Sequence, residues 1–410
     1  MLPVRVSVCL LIGISVTVMA VAGQGGDPAK GVKQPPPVAD KISDEIIQEF
    51  PSNGQMETAW KVRWGTVQGY GVFIKDAFFK PGPTEPWIQV LGDARLSEIF
   101  VPYHPGSPRY WDVSYNFPLC QMTPEDAGPF GKLLRSKPGE YPTVVQEVRD
   151  RGLIWRGITA SGEERARRGQ ELVVWGCLLA ANYRYIIEYG FQDDGSVTFR
   201  MGSTGRNLTG ATTQGHMHNG LWRIDVNLDG PRNSVYLVEH IEPLSDLKGD
   251  KIRAKSVVTP FNGGKEGAAD WNAEKFTMLR VVNDQRKNKR GDPLTYDLMP
   301  LRAGNARHYG GDREVCTHHD FWVTCARPGE IKYPEVPKYA ARGESIMDAD
   351  VVLWHSAAMH HEPRTEDGKV IDGQFVGVTP VGWAGFSLRP RNLFDGTPLY
   401  SYSNLKSKKR

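Results

Sequence analysis

From Trp60 onward the chain alternates apolar and polar positions with a period of two. The runs Gly71-Val72-Phe73-Ile74, Trp87-Ile88-Gln89-Val90-Leu91 and Ser234-Val235-Tyr236-Leu237-Val238 are separated by turns rich in Gly, Pro and Asp. A period of two puts alternate side chains on opposite faces of a strand, and such short runs between turn residues predict strands. Amphipathic helical patterns are few. The expected fold is therefore mainly β, a large antiparallel β-sandwich. No repeat with a period of about 20–50 residues marks a propeller or solenoid.

Three stretches combine this pattern with chemistry. In the run from His216 to Gly230, even positions read His216, His218, Gly220, Trp222, Ile224, Val226 and Leu228, while odd positions carry Asn219, Arg223, Asp225, Asn227 and Asp229. This predicts a strand with one apolar and one polar face, both histidines lying on the apolar face. Residues i and i+2 lie about 6.5–7 Å apart on one side of a sheet, so two imidazoles can converge on one ion. A metal also supplies the partner a buried imidazole needs. A three-histidine zinc site looks the same at this level, and so does a cupin site, for which Gly210 and His216-x-His218 fit the opening while the Glu expected shortly afterwards is missing. In the second stretch, Tyr183, Tyr185, Ile187 and Tyr189 share a strand face, and Asp194-Gly195 predicts a hairpin before Val197. An aromatic core strand has the same pattern. In the third, residues 348–355 read as a strand, followed by a turn or loop carrying His360 and His361. Three neutral imidazoles with open positions suit Cu(II) or Zn.

Outside the core, residues 1–22 read as a signal peptide. Arg5 precedes an apolar run from Val6 to Val21, and Ala20-Val21-Ala22 offers small residues before Gly23. The run is short for a membrane span, and the expectation is an exported protein without stable membrane insertion. Residues 23–54 read as a flexible Pro/Gly-rich arm, 55–400 as the folded domain and 401–410 as a basic tail. The net charge of +3 is small and dispersed, so no nucleic-acid footprint emerges. Of five cysteines, Cys9 lies in the signal segment. Export permits disulfides among Cys120, Cys177, Cys316 and Cys325. Cys316 and Cys325 could staple a local hairpin, and Cys177 fits equally well as a buried free thiol.

Taken together and in order, these stretches resemble the catalytic domain of the copper-containing primary amine oxidases. The match opens at Trp60-x-x-x-Trp64. It continues through Arg95-Leu96-Ser97-Glu98-Ile99-Phe100-Val101-Pro102-Tyr103, Asn182-Tyr183 and the His216-Met217-His218 strand. His361-x-Pro363-Arg364-x-Glu366-Asp367 and the run from Phe386 to Phe394 close it. The resemblance implies that His216, His218 and His361 bind Cu(2+). Tyr183 would be the precursor of topaquinone (TPQ), Asp112 the catalytic base, Tyr103 a hydrogen-bond partner of the quinone, and Asn182 the residue preceding it. A second structural ion, Ca(2+) or another metal, would lie at Asp225, Val226, Asp350 and Val351. The implied reaction is oxidative deamination of primary amines by O2 in a homodimer, yielding aldehyde, ammonia and hydrogen peroxide. A quinone carbonyl is an electrophile that unmodified side chains do not offer, and a carboxylate must remove the α-proton. Leu179 and Arg184 stand where the family carries Thr and an acidic residue, although Arg184 should point away from the Tyr183 face. The gap from Tyr103 to Asp112 is shorter than in the family, and the form expected is a minimal one without the α/β domains that precede the family's catalytic domain. A copper-binding member without quinone activity and an unrelated zinc or cupin-like enzyme are the competing readings.

Overall fold

A computed structural model describes residues 41–52, 56–104, 108–158, 162, 164–207, 213–241, 255–301, 307–368, 370–372, 374–375 and 378–394. The signal segment, most of the arm and the basic tail lie outside the described residues. In chain order the strands begin with β1 (Lys41–Phe50), β2 (Thr58–Val67), β3 (Gly71–Lys80), β4 (Ile88–Pro102) and β5 (Arg109–Trp111). Then come β6 (Lys132–Leu134), β7 (Val144–Ile158), β8 (Glu164–Ala180), β9 (Tyr183–Gln192) and β10 (Val197–Gly205). The centre of the fold is β11 (His216–Val226), followed by β12 (Ser234–Ile241), β13 (Lys255–Pro260), β14 (Gly267–Ala269), β15 (Met278–Lys287) and β16 (Pro293–Leu301). The last are β17 (Phe321–Cys325), β18 (Val351–His361), β19 (Val370–Ile371), β20 (Gln374–Phe375) and β21 (Thr379–Arg391).

Two large antiparallel sheets result. One runs β1-β2-β3-β4-β11-β18-β17-β14, with β5 added on β4; the other runs β13-β12-β15-β16-β21-β10-β9-β8-β7-β6. Their inner faces meet in one hydrophobic core, as the period-two pattern predicts for a sandwich. Trp222 of β11 carries much of the contact. Its ring lies 5.7 Å from Tyr189, 5.9 Å from Phe199 and 5.9 Å from Phe386, all across the gap between sheets. No helix among the described residues is long and apolar enough to cross a membrane.

Four details differ from the sequence-based expectation. Lys41–Phe50, assigned to the arm, is an edge strand paired with β2; its exposed positions mix Ile42 and Ile47 with Glu45 and Glu49, which breaks the alternation. The polar face of β11 is covered as well: Asn219 and Arg223 are buried, with Asn219 Nδ2 donating to the Phe100 carbonyl and Arg223 Nε to that of Glu330. The strand read as ending at His355 continues to His361, because β18 pairs with β11 without a break from Val351↔Val226 to His361↔His216. Finally, the four described cysteines are free thiols. Cys316 Sγ faces the Arg313 carbonyl and Cys325 Sγ that of Ser345, so these two do not staple a hairpin.

Candidate metal centre and active site

The site lies between the sheets. β11 contributes His216 and His218, the end of β18 contributes His361, and the opposing strand β9 contributes Tyr183 and Tyr185. The antiparallel register puts His216 directly opposite His361, so histidines 145 positions apart become neighbours. All three imidazoles are buried, and one nitrogen from each lies within 4.8 Å of the others.

The hydrogen bonds decide which nitrogen of each ring is available. His216 Nδ1 lies 3.2 Å from the Gln214 carbonyl, which can only accept, so Nε2 carries the lone pair. His218 Nδ1 lies 3.2 Å from the Tyr185 hydroxyl, while its Nε2 is buried with no partner. His361 Nε2 lies 3.6 Å from Asp367 Oδ2 and 3.2 Å from Thr379 Oγ1, leaving Nδ1 to face inward. His361 Nδ1 and His216 Nε2 are 3.1 Å apart. Buried nitrogen lone pairs that close together, one of them orphaned, fit a shared cation. Burial holds all three rings below the usual histidine range, His216 at about 4, so they are neutral and able to act as ligands. The orienting contacts on the outer nitrogens are of the kind that set ligand geometry in metal sites. Asp367 is itself fixed by the Arg364 backbone N–H and guanidinium. Burial opposes its ionisation, but Arg364 and His361 outweigh that and hold its carboxyl low.

Tyr183 completes the centre. Its hydroxyl lies 2.8 Å from His361 Nδ1 and 3.1 Å from His216 Nε2, and donates to Asn207 Oδ1 at 3.1 Å. The Tyr183 ring is 4.7 Å from that of His218. Burial raises its phenol well above the ordinary value. Tyr103 stacks on His216 at 4.2 Å and 12°, and its side chain hydrogen-bonds Asn182. Asn182 sits in the two-residue turn between β8 and β9, with Nδ2 donating to the Arg206 carbonyl at 2.5 Å. Arg184 turns away from the Tyr183 ring: its guanidinium donates to the Ala181 and Tyr183 carbonyls at 3.0 Å. It pairs across β8 with Leu179.

Asp112 follows β5, and its Oδ2 accepts from the Tyr185 hydroxyl at 2.7 Å. Burial, against the Tyr185 hydrogen bond and with the charge of Glu98, pushes its carboxyl up to about 7. Glu98 fixes the Asp112 loop by accepting from Val113 N–H and Ser114 Oγ, each at 2.8 Å. Sequence reasoning assigned no role to Tyr185, Glu98, Asp367 or Asn207. For Tyr185 a signal existed, because it shares the Tyr183 face two positions on. Asn207 and Asp367 lie outside the strands, and Glu98, on β4, acts on the loop after Asp112; no periodicity reports these approaches.

The second predicted ion site is brought together only in part. Asp225 and Asp350 are close enough to interact, and burial with the charges of Asp350 and Asp93 pushes the Asp225 carboxyl up to about 6 against the opposing charge of Arg223. Arg223 Nη2 lies 3.5 Å from Asp225 Oδ2, so a guanidinium already shares this cluster. Val226 and Val351 are paired neighbours.

Comparison with known proteins agrees with this geometry. The family model described as copper amine oxidase, enzyme domain, matches residues 146–409. Copper amine oxidase 1 of Aspergillus niger is 28% identical over 62% of this chain and 42% of its own. Primary amine oxidase of Arthrobacter sp. (strain P1) is 24% identical over 83% of this chain and 58% of its own. Among solved structures, the Aspergillus nidulans amine oxidase aligns with a TM-score of 0.65 at 19% identity, covering 92% of this chain and 56% of that one. The copper-containing benzylamine oxidase from Hansenula polymorpha gives 0.62 at 20%, covering 84% and 61%. The chain thus spans about half the length of the relatives it matches. The unrelated zinc and cupin-like readings are set aside, and the chain belongs to the copper amine oxidase family, by its enzyme domain.

Proposed function

We propose that the protein oxidises primary amines to aldehydes, releasing ammonia and hydrogen peroxide, with Cu(II) on His216, His218 and His361 and topaquinone derived from Tyr183. One observation carries the reading: the Tyr183 hydroxyl sits 2.8 Å and 3.1 Å from two of the imidazole nitrogens that face the shared cation position. When bound, copper makes a neighbouring tyrosine ring reactive towards O2, and the quinone offers amines an electrophilic carbonyl. The chain's own groups do the rest. Asp112 takes the α-proton, its carboxyl near 7 being matched to neutral working conditions. Tyr185 donates to Asp112 Oδ2 and so aims the other oxygen. Tyr103 closes the wall over His216, and the sandwich interior keeps bulk water away.

The test is to load copper-free protein with Cu(II) in air and add phenylhydrazine. A coloured adduct in wild type that is absent from Tyr183→Phe is expected. The second reading, a copper protein without quinone activity, is favoured by Arg184 and Leu179 standing where the family has an acidic residue and Thr; it predicts copper uptake with no adduct.

The same proposal includes a second structural ion at Asp225, Val226, Asp350 and Val351. The mutual charge of Asp225 and Asp350 supports it, and calorimetric Ca2+ titration of wild type against Asp225→Asn checks it. It also includes export of a homodimer. Exposed Leu153 and Ile158 on β7 support the dimer, which sedimentation checks; export is checked by the N-terminus of protein recovered outside the cell.

A further inference from the structure

The copper position is sealed. His216 and His218 are 0% exposed and His361 4%, so an ion in solvent does not meet them directly. Immediately outside lies a second group of ligating side chains that the proposed chemistry does not use. His360 precedes His361 on β18 and points to the opposite face; its side chain is 50% exposed and that of Glu362 75%. His104 follows Tyr103, the residue stacked on His216, and its backbone N–H donates to the Gly215 carbonyl at 2.9 Å. The rings of His104 and His360 are 5.7 Å apart.

These side chains converge over Gly215, the residue leading into His216. A Cβ there would meet Glu362 Oε2 at 2.8 Å, His360 Nε2 at 3.5 Å and His104 Cδ2 at 3.6 Å. Glycine leaves this volume open. His360 Nε2 and Glu362 Oε2 are 3.8 Å apart, and two ligands at about 2.0–2.2 Å from one ion cannot be more than about 4.2 Å apart. The pair can therefore hold a cation between them with little movement. His104 Cδ2 lies 3.6 Å from the same Cβ position at Gly215, which makes its imidazole the candidate for a third ligand. Two imidazoles and a carboxylate suit late first-row divalent ions, with Cu(II) bound most strongly.

We propose that His104, His360 and Glu362 form an outer Cu(II) site that captures the ion and passes it to His361, the adjacent residue and the most exposed of the inner ligands. Transfer is ligand exchange without a redox step: the outer ligands release the ion as His361, His216 and His218 take it up. Holding the ion next to the inner site raises its effective concentration there.

Copper-free wild type, the combined variant His104→Ala/His360→Ala/Glu362→Ala, Gly215→Ala and His218→Ala would each be titrated with Cu(II). Bound copper is counted by metal analysis, and inner-site filling is followed by electron paramagnetic resonance. Gly215→Ala retains every ligand and fills only the open volume, so it separates loss of the site from misfolding. Wild type should bind two ions. Both outer-site variants should bind one and fill the inner site about tenfold or more slowly, whereas His218→Ala should keep the outer ion. A single ion in wild type, or unchanged filling rates in both outer-site variants, would overturn the proposal. None of these readouts uses amine turnover or quinone formation, so failure of the oxidase reading leaves this test intact.

Discussion

At the scale of single residues, the argument turns on what each polar atom near Tyr183 can still do. The outer nitrogens of His216, His218 and His361 are occupied by a carbonyl, a phenol and a carboxylate. Their inner nitrogens are thereby fixed as electron-pair donors. A chain of hydrogen bonds leads from His218 Nδ1 through the Tyr185 hydroxyl to Asp112 Oδ2, so the proposed base and a proposed copper ligand share one phenol. As the proposed base Asp112 works only as a carboxylate, and its value near 7 means amine turnover should fall as pH drops through about that value. Asp112→Asn should retain quinone formation and lose turnover. The Tyr185 hydrogen bond favours the ionised carboxylate, so removing it raises the pKa further. A hydrogen bond to a charged group contributes about 1.5–3 kcal/mol, and one pKa unit is about 1.4 kcal/mol. Tyr185→Phe should therefore move the acidic limb of the kcat/KM profile about one unit or more towards higher pH. A limb that stays in place would show that Tyr185 does not tune the base.

At the scale of elements, the register between β11 and β18 builds the site. A slip of β18 by one residue would turn His361 to the opposite face and put His360 where His361 stands. The interlocked aromatic cluster across the sheets resists such a slip. Phe386 is fully buried and stacks on Phe199 at 4.7 Å. Phe386→Ala should cost about 3–5 kcal/mol, read as an earlier denaturant midpoint. A change below about 1 kcal/mol would mean that the cluster collapses around the gap.

Legibility from sequence divides along the same lines. The alternation in β11 and β9 exposes both histidines and both tyrosines because each strand keeps one continuous apolar face. The continuation of β18 was hidden, because Ser356-Ala357-Ala358 carries no alternation and its strand state comes from pairing with β11. Edge strand β1 was hidden because apolar and charged residues alike, Ile42, Glu45, Ile47 and Glu49, stand exposed on it. The covered polar side of β11 could not be inferred either, since Arg223 is buried through partners in a distant segment, the Glu330 carbonyl among them. The cysteines show the same limit: spacing suggested a pair, while the fold gives Cys316 and Cys325 different partners.

At the scale of the whole molecule, the two sheets act as opposing jaws, one carrying the histidines and the other the tyrosines. A bound ion ties the ends of β11 and β18 and should stabilise the folded state by mass action. With free copper at about one hundred times its dissociation constant, the gain is about 2.7 kcal/mol. Thermal unfolding should therefore shift upward on copper addition and return when a chelator removes the ion. His218→Ala should show a clearly smaller shift. An equal shift in that variant would place the stabilising ion elsewhere.

The central claim, that the buried tyrosine facing this metal position becomes the cofactor, is tested most directly by the mass of the peptide containing Tyr183. After copper loading in air, the account predicts a gain of two oxygens less two hydrogens at Tyr183, absent when either copper or oxygen is withheld. An unmodified Tyr183 in fully copper-loaded, aerated protein would contradict it.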